Sequence, residues 1–195
     1  MPLIVPDHFN TYTVMGIDPG LSNTGVATFE LTYGTDEIVK IEAFTLVNDK
    51  LLDLSGVDDE THLERTVKLF KLKQAFLYVL ANTNPAIIAS ESPFFNKKFP
   101  GAYAPLVEVM NVLLMSIVEW NNNVKYYTFA PSTTKQAIGA RPVKNNTEEQ
   151  KKEIQRAILA YPNLLNVLVT PVEQLSQHAF DAIAAGITLI QSRRA

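Results

Sequence analysis

The chain has 195 residues, 47% of them hydrophobic and 19% charged, with a net charge of −3. That is apolar material for one globular domain with a sizeable core, and too little length for two full domains. The absence of cysteine excludes disulfides and thiolate-held metals, and with no charged-then-apolar leader and no uninterrupted run of about 18 apolar residues, a cytoplasmic protein with no membrane partner is expected.

Thr11–Asp18 (TYTVMGID) reads as a strand that ends on an acid, followed by the turn-rich PGLSNTG. Gly25–Leu31 alternates Val26, Thr28 and Glu30 against Ala27, Phe29 and Leu31, and Ile38–Val47 is similar, so three strands in an antiparallel meander are predicted. The acidic stretch Asp49–Glu60 reads as a loop. Thr61, with Glu64 three residues on, predicts a capping box for a helix to about Asn82, with Leu63, Val67, Phe70, Phe76, Leu77 and Leu80 near one face. Ala86–Glu91 is a short apolar run that also ends on an acid, as a buried strand would. Tyr103–Trp120 predicts a long helix whose Leu106, Val109, Met110, Leu113, Leu114, Ile117 and Val118 exceed what one core face needs. It is either a subunit interface or a helix buried within one chain. Val124–Phe129 predicts a strand, and helices follow at about Ser132–Ile138, Thr147–Ala160 and Gln177–Gln191. The order βββαβαβααα predicts an α/β fold with a mixed sheet and helices on both faces.

Charge is unevenly spread. Residues 1–93 carry six basic against 13 acidic side chains, and residues 94–156 carry nine against five. A binding face for an anionic partner in the second segment is one reading, and chance is the other.

Asp18 and Glu91 both stand at strand ends, which a shared sheet edge brings close together. The last helix, SQHAFDAIAAGITLI, puts His178 and Asp181 three apart on one side, with Phe180, Ile183, Ala184, Ile187 and Ile190 on its apolar face. A lone acid there balances the helix dipole, and a lone strand-end acid is solvated. Together, three carboxylates and an imidazole suit Mg²⁺ or Mn²⁺, hard cations that prefer oxygen ligands. Two such ions, roughly 4 Å apart, activate water and stabilise the leaving oxygen in phosphodiester hydrolysis. On this reading Asp18 bridges both ions, Glu91 holds one, Asp181 the other, and His178 completes a site or orients the water.

Four segments in order, GIDPGLSNTGVA, ASESPFFNKK, FAPSTTKQAIG and QHAFDAIAAGI, resemble the motifs of the RuvC family of Holliday-junction resolvases, over about Val14 to Ile190. The resemblance implies the ribonuclease H-like fold and a crossover junction endodeoxyribonuclease. It would act as a symmetric homodimer, cutting a four-way DNA junction by paired, metal-dependent hydrolysis. It implies Asp18, Glu91, His178 and Asp181 as the metal-binding quartet, and Phe94 as an aromatic that stacks on unpaired bases, with Phe95 an equal rival. Lys135 and Lys151 match family lysines near the scissile region. Lys97, Lys98, Arg141 and Lys144 are candidates for phosphate contacts. The chain departs from the pattern by an N-terminal arm (residues 1–13, before a single domain 14–195), by the acidic 49–60 loop, and by its overall acidity. These suggest a divergent member, viral or from a mobile element.

Three rival readings stand beside this one. An actin-like ATPase shares the opening strand–Asp–Gly turn but needs a second domain and a second phosphate motif. The other two are a non-catalytic DNA-binding protein on the same fold, and a nuclease for other branched DNA or RNA-containing substrates.

Overall fold

The computed structural model describes residues 10–52, 63–93, 101, 103–143 and 147–194. Three strands come first: β1 (Thr11–Asp18), β2 (Asn23–Thr32) and β3 (Ile38–Val47), paired antiparallel. Helix α1 (Glu64–Thr83) then leads to β4 (Ile87–Glu91), which lies parallel to β1. Helix α2 (Tyr103–Trp120) leads to β5 (Lys125–Phe129), parallel to β4. The strand order is β3-β2-β1-β4-β5. Helices α3 (Pro131–Ala137), α4 (Thr147–Leu159), α5 (Leu164–Val167) and α6 (Gln177–Arg194) complete the chain. This is the mixed, helix-covered sheet that the sequence predicts.

Strand alternation divides the core in two. Val14, Ala27, Phe29 and Ala89 face one side, where they pack with Ile138, Ile158 and the length of α6. Met15, Ile17, Val26 and Ile88 face the other, against Leu72 and Phe76 of α1 and Val109 and Leu113 of α2. Helix α6 is buried continuously from Ala182 to Ile190, as a central helix apolar on every side must be. Its C-terminal end is tied to the β2–β3 hairpin: Arg193 lies 5.6 Å over the Tyr12 ring, and Tyr12 donates its hydroxyl to Asp36. Burial and that bond push the Tyr12 phenol up to about 12.

Several expectations need correction. Helix α1 starts at Glu64 with Leu63 at its N-cap and no side-chain cap among the described residues; Thr61 lies outside them. Its buried stripe is Val67, Leu72, Phe76, Val79 and Leu80, whereas Leu63 and Phe70 are 77% and 42% exposed. The sheet and α2 select this stripe, and Phe70 turns outward to share a groove with Met115. Helix α2 has a mean hydropathy of 1.3 over 18 residues, so by length and composition alone it could cross a membrane, which the sequence reading did not anticipate. Its Val109, Leu113 and Ile117 instead pack into the second core. Helix α5 was not foreseen. The segment it opens runs along the edge of β3, where Val169 N–H donates to Ile41 O and Ala43 N–H to Thr170 Oγ1. That edge contact, rather than local propensity, orders the segment. Most of the 49–60 loop, and residues 1–9 of the arm, lie outside the described residues, whereas Thr11–Thr13 belong to β1.

Candidate active site

Strands β1 and β4 run parallel with Ile17 opposite Ser90, so Asp18 and Glu91 leave the sheet at the same edge. Thr24 closes the turn after Asp18 by donating its hydroxyl to Gly20 O at 2.7 Å. Helix α6 begins at that edge too. Ser176 precedes it, and its Oγ accepts the Ala179 N–H at 3.1 Å, the bond of an N-cap.

Two glycines let α6 settle directly on the strands. A Cβ at Gly16 would stand 2.2 Å from Ala182 O, and one at Gly25 would stand 1.9 Å from His178 O. Backbone therefore packs on backbone, and the first turns of α6 hang over Asp18. His178 Nδ1 donates to Asp18 Oδ2 at 2.7 Å, which leaves Nε2 as the free ring nitrogen.

The electrostatics are those of crowded, desolvated acids. Burial pushes the Asp18 carboxyl up, partly offset by the bond from His178. Burial also raises Glu91; the Thr134 hydroxyl and the charge of Lys135 oppose this, while Asp18 adds to it. Asp181 is pushed up to about 7, first by burial and then by the charges of Asp18 and Glu91. Gln177 Nε2, 3.2 and 3.3 Å from its two oxygens, offsets only part of that. The hydrogen bond to Asp18 raises His178.

Among the described residues no group of three or more His, Asp or Glu side chains is arranged to hold a metal ion as it stands. Yet the donor set fits a hard dication: three largely buried carboxylates repel one another, and among the described residues the His178 imidazole and the more distant charge of Lys135 offset that repulsion only in part. A divalent cation is the group that would relieve them.

Lys135 on α3 and Lys151 on α4 flank this cluster. The first acts on Glu91 and the second on His178 through its charge, although Lys151 Nζ also bonds Glu148 at 2.8 Å. Lys135 lines a cleft of about 650 Å³ with Pro131, Ser132, Gln136 and Pro142. Arg141 is exposed beyond α3, with its backbone N–H on Glu153. Phe94, Phe95, Lys97, Lys98 and Lys144 lie outside the described residues. Sequence reasoning missed Gln177, Thr134 and the packing role of Gly16 and Gly25. The one available signal was the glycine that closes the first motif.

No family model matches the chain. It is 26% identical over 177 residues to the crossover junction endodeoxyribonuclease RuvC of Treponema denticola, covering 91% of this chain and 84% of that protein. It is 25% identical over 138 residues to the RuvC of Caldicellulosiruptor saccharolyticus, covering 71% and 74%. Its fold matches T. thermophilus RuvC, solved in complex with a Holliday junction substrate, with a TM-score of 0.63 at 18% identity over 94% of this chain and 96% of that one. Sequence relatives near one-quarter identity, the shared strand order and the clustered acids lead to one conclusion: this chain has the ribonuclease H-like fold and is similar in sequence to RuvC proteins.

Proposed function

We propose that this chain is a divalent-metal-dependent endonuclease that resolves four-way DNA junctions. The observation that carries the reading is the convergence of Asp18, Glu91, Asp181 and His178 at one sheet edge, in a chain whose relatives are named crossover junction endodeoxyribonucleases.

Asp18, Glu91, Asp181 and His178 would hold Mg²⁺ or Mn²⁺. Two such ions, when bound, supply charge that lowers the pKa of water and stabilises the leaving oxygen. The rest of the chemistry belongs to side chains of this chain. His178, anchored through Nδ1 to Asp18, keeps Nε2 for one of two roles, to hold a cation or to order the attacking water. Lys135 and Lys151 place positive charge near Glu91 and His178, where it would meet the anionic phosphodiester. Attack forms one P–O bond as the bond to the departing sugar oxygen breaks. Phe94, Phe95, Lys97, Lys98, Arg141 and Lys144 are proposed contacts to unpaired bases and backbone phosphates.

The test is a substrate panel. Purified protein is incubated with a mobile four-way junction, a linear duplex and an RNA–DNA hybrid, in Mg²⁺, Mn²⁺ or EDTA. Metal-dependent cutting of the junction supports the reading. Cutting of the hybrid alone, or of none, rejects it.

The acids also give a pH signature. Asp18, Glu91, Asp181 and His178 all have raised folded pKa values. Their contribution to stability is therefore present at low pH and lost as pH rises; for Asp181 the window runs from 3.8 to about 7. Metal-free protein should melt lower at pH 8 than at pH 5, and Asp181→Asn should shrink the difference. By scanning calorimetry, Mg²⁺ should raise the melting temperature at pH 8 and hardly at pH 5. An equal rise at both would remove the acids as the binding site.

The protein acts as a homodimer in this account. Leu114, Met115 and Val118 on the outer side of α2 are 40%, 64% and 55% exposed, beside the 42% exposed Phe70 of α1. A two-fold substrate is matched by pairing two copies through this face. Met115→Asp should convert a dimer to monomer in sedimentation velocity; a variant that stays dimeric would place the interface elsewhere.

A further inference from the structure

We propose that Thr134 is a positioning residue for Glu91: its hydroxyl fixes one carboxylate oxygen and leaves the other for a divalent cation. The inference rests on the metal-dependent reading above.

The sheet delivers Thr134 to this place. Glu91 lies opposite Phe129 at the end of the β4–β5 pair, and Ser92 N–H donates to Phe129 O at 2.8 Å. Helix α3 starts at Pro131, two residues after β5 ends, so its first turn is fixed relative to Glu91. Of the three successive hydroxyl residues Ser132, Thr133 and Thr134, the first two are exposed and Thr134 is 0% exposed. Its Oγ1 stands 2.5 Å from Glu91 Oε1.

A threonine in a helix ordinarily donates to a carbonyl one turn back, and Pro131 O is 3.0 Å away. A hydroxyl has one proton to give, and an ionised carboxylate is the stronger acceptor. Glu91 therefore takes the bond when it is charged. A glutamate side chain has three free torsions, and a buried donor on rigid backbone removes much of that freedom. An apolar side chain of the same shape would fill the space but leave Oε1 unpaired and the carboxylate free to rotate. Lys135 does not substitute for it, because its ammonium is on a long, partly exposed stem and acts on Glu91 through charge alone. Partners that orient metal ligands in this way are worth about 10- to 100-fold in metal affinity.

The experiment compares wild type with Thr134→Val, Thr134→Ser, Thr134→Ala and Glu91→Gln, as full-length chains. Mn²⁺ binding is measured by calorimetry without DNA, and junction binding is measured in EDTA. Thr134→Val should weaken Mn²⁺ binding about 10-fold, with junction binding in EDTA unchanged. Thr134→Ser, which keeps the hydroxyl, should restore Mn²⁺ affinity to near wild type. If Thr134→Val does not fold, the contrast between Thr134→Ala and Thr134→Ser decides the matter in the same way. Wild-type affinity in Thr134→Val, or equal losses in the Ser and Ala variants, would overturn the inference and leave the metal reading intact. Unchanged Mn²⁺ binding in Glu91→Gln would instead sink the metal reading, and this inference with it.

Discussion

Asp18→Asn is expected to lower the single-turnover rate of junction cleavage by about 10³-fold or more, about 4 kcal/mol in barrier, while junction binding in EDTA persists. Asparagine keeps the size of the side chain and an oxygen for the His178 Nδ1–H, so the local structure survives. What is lost is a negative charge at the centre of the cluster, where both Glu91 and Asp181 feel it. The same loss should relieve repulsion, so the metal-free variant should melt higher than wild type at pH 8. Lower rate with higher stability is a pairing that general damage to the fold does not produce. A variant that cleaves at wild-type rate would remove Asp18 from the chemistry.

Gly16→Ala should be strongly destabilising for so small a substitution. The added Cβ would meet Ala182 O at 2.2 Å, Gly186 N at 2.6 Å and Gly186 Cα at 3.0 Å, all backbone atoms of α6. None of them rotates away, so the helix must lift from β1 or the strand must bend. Overpacking of this kind costs roughly 3 kcal/mol or more when the neighbours are rigid. Lifting α6 also carries His178 and Asp181 off Asp18, so residual folded protein should cleave slowly. Denaturant unfolding of Gly16→Ala against Gly101→Ala measures this, because a Cβ at Gly101 meets nothing within 4 Å among the described residues. Equal midpoints for the two variants would show that α6 does not rest on β1 as described.

Much of this architecture was legible in the chain, for reasons that differ by element. Strand β3 and helix α2 have the predicted limits, Ile38–Val47 and Tyr103–Trp120. Their hydrophobic periods are clean, and turn or polar residues bound them. Helix α1 was found but its face was misjudged at Phe70, because the partner that selects the buried stripe comes from α2, far along the chain. Helix α5 escaped because its order comes from the edge of β3. At the site, acids at strand ends are readable because a strand's end is a local feature. The close approach at Gly16 and Gly25 is not readable, since the helix that demands it begins at Gln177. Nor is Thr134, which looks like Ser132 and Thr133 until the orientation of α3 singles it out.

A supercoiled plasmid that extrudes a cruciform tests the central claim most directly. Opposed cuts across the four-way junction yield linear product, whereas independent single cuts yield open circles. With Mg²⁺, wild-type protein should produce linear plasmid cut at the cruciform, and neither EDTA nor Asp18→Asn should allow it. Wild-type protein that leaves the cruciform uncut in Mg²⁺ and Mn²⁺, or that cuts as well in EDTA, would contradict the account.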